Sequence, residues 1–534
     1  MTHLGESYLL RQVPLGGSPL SRAAQAGRVD PSWYPPRPVG RTGWAARAAN
    51  LSTAFPDDAW YRLLAPAFAA TGLAESRLER AAAGGLVVTT GQQPGLFGGP
   101  MYTWTKALSA LAMADALESA LGIPVAPVFW AATDDADWLE ACTTSVVTSR
   151  GLQALCLPGP ATEGRPMADV ALGLLEPALA LLDQACGSAA HADIRALVGR
   201  AYVPQATVGA AYVQLLRGLL EPLGISVLDA AHPAVRDAAD PLLRRALRLA
   251  DPIHQALTAR QVEIEAAGFS PQVDVVEELS LVFHTTTRAS SLGVGVERVR
   301  ERVPRASAAA IAREAVPGSL GANVLLRPVV EQAILPTACY LAGPGEYAYF
   351  AQVSAVASAL EVAAPVPVPR VAVELLPAHL PARLEALGLA ETDLADPHRA
   401  EQVVSRLRVS ESMADAIERL RVTVETQVGA LRDAEPSDRP VVADEVVHGL
   451  ARDLEARIAR FERRVLAGVK RREGGLMQEV AVLRGLLRPD GQSPERVLNL
   501  VPWLVRFGPG LLEDVAAVIR PHIRALVDGD SPAA

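Results

Sequence analysis

Hydrophobic and polar positions fall into blocks that differ in period along the chain. Val87-Val88-Thr89-Thr90 is a β-branched run that predicts a strand. From Thr103 to Gly122 apolar residues recur at helical spacing without a breaker, which predicts a helix. Between the two lies a loop dense in glycine and proline, Gly91 to Pro100, where glycine lets the backbone approach a ligand or take positive φ. Val125 to Ala132 is apolar throughout, as in a strand buried on both faces, and runs directly into Thr133-Asp134-Asp135-Ala136-Asp137. Strand, glycine loop, helix, strand and acidic cluster make a βαβ unit. Its polar residues fall at the carboxyl ends of the strands, where open α/β sheets bind ligands.

Residues 150–320 carry mostly Ala/Leu-rich helical patterns, broken by short strands such as "ISVLDA" and "LSLVFHTT", and read as helical insertions in an α/β core. "ACYLA" is a further strand, and Gly343-Pro344-Gly345-Glu346-Tyr347-Ala348 fits G-x-G-x-x-A before a helical run. Pro365, Pro367 and Pro369 forbid a central strand and mark an edge or a domain exit. Beyond residue 400 the period lengthens. Met413, Ile417, Leu420, Val424, Val428 and Leu431 form one stripe, and Val447, Leu450, Leu454, Ile458, Phe461, Val465 and Val469 another. With "DAEPSDRP" as the turn, they predict an antiparallel coiled-coil hairpin. The expected domains are an α/β core over 1–380 with insertions at roughly 150–320, an α-helical domain over 381–490, and a C-terminal helical segment over 491–534. That last segment is too apolar for a tail and is expected to pack back.

Composition narrows the chemistry. A formal charge of −9 and a pI near 5.6 argue against a nucleic-acid binder. "MTHLGESYLLRQVPLGG" lacks the basic and apolar regions of a signal peptide, and no apolar run reaches the ~18 residues of a membrane span. Cys142, Cys156, Cys186 and Cys339 form no C-x-x-C and read as reduced cysteines of a cytoplasmic protein, neither a disulfide framework nor a zinc site. Of the 50 basic residues only Lys106 and Lys470 are lysine, which singles out places where a compact ammonium is needed and a guanidinium would not serve. Lys106, one turn into the predicted helix, is placed to reach an anion held by the loop, whereas Lys470 in "GVKRREGG" carries little signal.

The loop itself is neither a Walker A nor G-x-G-x-x-G. Gln92 and Gln93 add amide donors that a plain turn does not need, and Gly95, Gly98 and Gly99 would let the backbone and the helix N-terminus cradle an anion. Asp134, Asp135 and Asp137 repel one another, so a cation should sit among them. They suit a metal or a sugar hydroxyl, or they cap the helix that Trp138 to Ala141 begins. Arg327 reads as a carboxylate clamp or half of a buried ion pair. Glu346, beside Gly343 and Gly345 at a helix start, suits an amine or hydroxyl.

Four blocks resemble the bacillithiol biosynthesis cysteine-adding family, BshC, over most of the chain: "TGQQPGLFGGPMYTWTKA", "PVFWAATDDADW", "LLRPVVEQAILPTACYLAGPGEYAYFAQ" and "RVLNLVPWLVRFGPGLL". The resemblance implies a Rossmann-like core with helical connecting insertions, a coiled-coil domain and a homodimer. It implies a ligase that adds L-cysteine to the amine of glucosaminyl-malate by amide formation. The family usually reads Glu-Asp-His-Asp where this chain has Asp134-Asp135-Ala136-Asp137. Either that histidine is dispensable in this branch or the substrate differs.

A carboxylate is a poor electrophile, so ATP or another nucleotide, or an equivalent, is needed as activating cosubstrate; the sequence does not identify it. On this reading the loop and Lys106 hold phosphate or the malate carboxylates. Asp134, Asp135, Asp137 and Glu346 bind ammonium groups and deprotonate the amine, without one base being singled out. No resident metal is implied. Two other readings are a nucleotide-sugar glycosyltransferase that holds a metal on Asp135-x-Asp137 and a non-catalytic coiled-coil scaffold.

Overall fold

A computed structural model describes residues 7–159, 164–188, 190–289, 296–434 and 442–530. They divide into two compact units, one of Leu10–Val146, Ala154–Leu375 and the chain from Glu495 onward, the other of Leu376–Pro494 with Val147–Gln153 and the segment up to Leu9.

The first unit is built on a parallel sheet. The chain enters at β1 (Leu86–Gln92), crosses through α1 (Met101–Leu121) and returns as β2 (Val125–Ala131) before a four-residue helix α2 (Trp138–Ala141). Later come β3 (Ser226–Asp229) and α3 (Pro233–Arg248), then β4 (Leu279–Ala289), β5 (Val296–Pro304) and β6 (Leu320–Ala322). α4 (Arg327–Ile334), β7 (Thr337–Ala342), α5 (Pro344–Ala359) and β8 (Pro367–Pro369) complete it. The strand order is β8-β7-β1-β2-β3, every pairing parallel.

All of β2 and β7, and β1 from Leu86 to Gly91, are buried, as suits strands covered on both faces. β8 pairs with β7 alone, so its prolines sit at an edge, where a missing N–H costs no ladder bond. "ISVLDA" supplies the opposite edge strand. "LSLVFHTT" begins β4, the middle strand of a separate antiparallel sheet ordered β5-β4-β6. Gln92 pairs with Ala131 and Ala131 with Asp229, so the carboxyl ends of β1, β2 and β3 finish level. α1 packs against β1 and β2 and against α8 (Gly510–Asp528), which is how the apolar C-terminal segment is covered.

The second unit is helical, around a core that includes Leu384, Leu394, Val404, Val480 and Leu487. Its longest helices, α6 (Glu411–Asp433) and α7 (Asp444–Arg472), pack as an antiparallel pair, with Arg421 bridging to Glu455 and Glu462 at 3.2 Å each. The predicted turn "DAEPSDRP" lies, from residue 435, outside the described residues. The stripe is only partly covered. Ile417, Val428, Val447, Ile458 and Val469 are buried, whereas Met413, Leu420, Leu431, Leu450 and Phe461 are exposed, and Leu466 is buried in place of Val465. Lys470 pairs with Glu401 at 2.5 Å within this unit.

Candidate functional site

The level strand ends leave a cavity of about 530 Å³ at the carboxyl edge of the sheet. Gly91, Gln92 and Gln93 border it at the end of β1, Asp134 and Asp135 after β2, Gly343 to Glu346 after β7 and Arg370 after β8. Gly91 is needed for close approach. A Cβ there would lie 2.8 Å from the Trp130 carbonyl and 3.0 Å from Arg327 Nη1. Gln92 and Gln93 are oriented by Glu140, which accepts from the Gln92 amide at 3.1 Å and also from Gln93.

Lys106 and Glu346 meet at the base of this cavity. Lys106 is 1% exposed; its Nζ lies 2.7 Å from Glu346 Oε2 and 3.2 Å from Gln92 Oε1, and it donates to the Gly91 carbonyl. Glu346 also accepts from the Tyr340 hydroxyl at 2.6 Å and from the Gly343 N–H at 2.7 Å. Burial alone would raise the Glu346 carboxyl, but the charges of Lys106 and Arg327, with these hydrogen bonds, bring it below the usual glutamate range. Burial lowers the Lys106 ammonium despite Glu346. Lys106, expected to reach an anion held by the loop, is a buried cation whose carboxylate partner is Glu346. The amine position foreseen at Glu346 is taken by this side chain.

A cation does sit at the acidic cluster. Arg300, on β5, lies 3.8 Å from Asp134 Oδ2 and 3.7 Å from Asp135 Oδ1, and donates to the Asp134 carbonyl. Its guanidinium stacks 4.3 Å above the Phe283 ring. Burial raises the Asp135 carboxyl, with Arg300 opposing and Asp134 reinforcing. At the departure from the family pattern, the Ala136 N–H donates to Asp135 Oδ1 at 2.7 Å. Arg327, at the start of α4, lies 3.7 Å from Glu346 Oε1 and donates to the Tyr349 hydroxyl at 3.3 Å.

Four expected site residues are not among those lining the cavity: Gly95, Gly98, Gly99 and Asp137. The Asp137 carboxylate accepts from the Glu140 N–H at 3.1 Å and caps α2. With Asp135 facing Arg300, Asp135-x-Asp137 does not converge as a metal pair. No group of three or more His, Cys, Asp or Glu that could hold a metal occurs among the described residues.

The glycines wrap around a side chain of the same unit. Asn499 Nδ2 reaches the carbonyls of Leu96, Phe97 and Gly99 at 3.2, 3.0 and 3.1 Å, and the Tyr202 hydroxyl accepts from the Gly98 N–H at 3.2 Å. Gly98, at φ +86°, sits where a Cβ would be 2.6 Å from the Trp104 ring. The α1 N-terminus is also occupied, because the Met101 N–H donates to the Leu498 carbonyl at 2.9 Å. The Leu96–Gly99 part of the loop thus holds its own chain, while Gly91, Gln92 and Gln93 face the cavity.

Sequence reasoning missed Arg300, Arg302, Arg370 and Arg496, all of which line the cavity. The signal for the first two was "VERVRERVP". Arginines at 298, 300 and 302 in a period-2 strand share one face, and such a face needs carboxylates or a ligand. Arg370 is bound bidentately by Glu495 at 2.9 and 2.6 Å, and Glu495 and Arg496 stand near the start of the C-terminal segment. Cations lining the cavity (Lys106, Arg300, Arg302, Arg327, Arg370, Arg496) outnumber its carboxylates (Asp134, Asp135, Glu346).

Residues 66–371 match the family described as "Bacillithiol biosynthesis BshC, N-terminal Rossmann-like domain". Curated relatives include "Putative cysteine ligase BshC" of Solibacter usitatus, 33% identical over 80% of this chain and 80% of its own. The protein of the same name from Koribacter versatilis is 30% identical over 84% and 85%. That from Geobacillus thermodenitrificans is 25% identical over 82% of each.

Proposed function

Since the chain belongs to the bacillithiol biosynthesis BshC family, we propose that it is a cysteine ligase joining L-cysteine to the glucosamine amine of glucosaminyl-malate. The carrying observation is the surplus of cations around a recessed cavity at the carboxyl edge of a parallel sheet. Malate brings two carboxylates, which guanidinium groups hold well, and Arg302, Arg327 and Arg496 suit them. A scaffold would have no use for a cavity that buries Lys106 in this way.

In the reaction the amine nitrogen attacks the cysteine carboxyl carbon, a C–N bond forms and one carboxyl oxygen departs. That oxygen leaves readily only on a phosphoryl or nucleotidyl group, so a nucleoside triphosphate is the cosubstrate class required. The proton released from the amine goes to Asp135, a cavity-lining carboxylate whose partly exposed side chain is open to the ligand. Glu346 is a poor base, being paired with Lys106 and saturated with donors. The same reading places the protein in the cytoplasm as a homodimer. Its exposed hairpin residues support the dimer, and no helix among the described residues is long and apolar enough to cross a membrane.

Titration calorimetry with glucosaminyl-malate tests the site. Saturable binding is expected, weakened at least tenfold when Arg302→Gln and Arg496→Gln are combined. Absence of binding to the unaltered protein, or unchanged affinity in the double variant, would overturn the assignment.

A further inference from the structure

A second, smaller cavity of about 60 Å³ lies against the main one, and the two share Asp134, Arg300, Ala322 and Arg327 as lining. Its walls are largely apolar, with Arg236, Arg298 and Thr285 also on them. Val235, Ala239 and Leu243 come from α3 and Val330 from α4, each no more than 5% exposed. Trp130, at the end of β2, also lines it and is 4% exposed; its Nε1 finds no hydrogen-bond partner among the described residues. Nothing in the ligand chemistry described so far uses this annex.

Its size, polarity and rim together select a ligand. At about 60 Å³ against about 530 Å³ for the main cavity, the annex suits a small side chain better than a large one. Apolar walls make burial of a hydroxyl costlier than burial of a thiol, which behaves as a small hydrophobe. The unpartnered indole N–H offers a donor to a heteroatom on the side chain that enters. At the rim, the Asp134 carboxylate suits an α-ammonium, and Arg300 suits an α-carboxylate turned toward the main cavity.

We propose that the annex is the side-chain pocket for the amino-acid substrate, taking the CH2–SH group of cysteine. Asp134 holds the ammonium, and the carboxyl carbon faces the cavity where the amine arrives. This rests on the ligase reading and adds to it the residues that set amino-acid specificity.

Calorimetric titration of the full chain with L-cysteine, L-serine and L-homocysteine tests the proposal without requiring turnover. Cysteine should bind at least tenfold more tightly than serine. Ala239→Leu, which fills the annex, should weaken cysteine binding at least tenfold and leave glucosaminyl-malate binding unchanged. Leu243→Ala, which widens it, should strengthen homocysteine binding at least tenfold, a gain that misfolding cannot mimic. Unchanged cysteine affinity in Ala239→Leu, or no gain for homocysteine in Leu243→Ala, overturns the annex as the cysteine pocket. If both variants behave as stated but no cysteine-containing product forms with any nucleoside triphosphate, the ligase reading falls and the binding site stands.

Discussion

Lys106 and Glu346, 2.7 Å apart with side-chain exposures of 1% and 15%, form the most consequential pair in the site. Removing one partner of a buried pair leaves the other charge uncompensated, at a cost of about 3 kcal/mol. Lys106→Ala should therefore lower the urea midpoint of unfolding, and adding Glu346→Gln should restore most of the loss. Additive losses in the double variant would contradict the pairing. The burial of Lys106 was legible after all. Its helix is apolar on every side, with Trp104, Ala107, Leu108, Ala110 and Leu111 around it, and such a helix is buried all round.

Glu331 is a second buried carboxyl, 1% exposed, and burial pushes it up to about 7 although Arg327 opposes the rise. Its folded-state value lies above the ordinary 4.5, so the folded protein holds the proton longer than the unfolded chain. The group costs no stability below about 4.5, and its cost grows as pH rises through this window to about 7, reaching on the order of 3 kcal/mol. Glu331→Gln should match the parent in thermal unfolding at pH 4.5 and exceed it at pH 8. Parallel melting curves across that range would show that Glu331 titrates normally.

Among elements, β1, α1, β2 and even the four-residue α2 could be read from the sequence, because period and β-branching there agree with the burial that follows. The role of the glycine loop could not. Its partner Asn499 lies some 400 residues away in sequence, and a polar residue inside "RVLNLVPW" gives no sign of which carbonyls it will reach. Asn499→Ala leaves three buried loop carbonyls without this donor and should destabilise the fold by about 2 kcal/mol or more. Thermal unfolding of this variant, set beside Asp137→Asn, checks both elements. The Asn variant at 137 should be nearly neutral, since asparagine caps as well as aspartate. A neutral Asn499→Ala would show that the loop stands without its latch. β5 is hard to read from sequence because its arginines alternate within a region whose patterns are otherwise mostly helical.

At the scale of the whole molecule, the parallel sheet and the helical hairpin were both foreseeable from the change of period near residue 400. Which stripe residues stay exposed was not, because two helices cover only part of a stripe and sequence does not say which part. Leu420, Leu431, Leu450 and Phe461 remain exposed at 43–52%, and a twofold contact between hairpins would remove them from water. Ile458 is buried within the hairpin at 5%, so Leu450→Asp with Phe461→Asp is the appropriate probe. Sedimentation should find a dimer that this double change converts to folded monomers, and a monomeric parent at micromolar concentration would refute the contact. The central claim, amide formation between cysteine and glucosaminyl-malate, is tested most directly by mass spectrometry of the full-length protein incubated with both substrates and each nucleoside triphosphate in turn. The account predicts a thiol product whose mass is the sum of the two substrates less one water, formed with one triphosphate and lost in Asp135→Asn. Formation of no such product with any triphosphate, by a protein that binds both substrates, would contradict it.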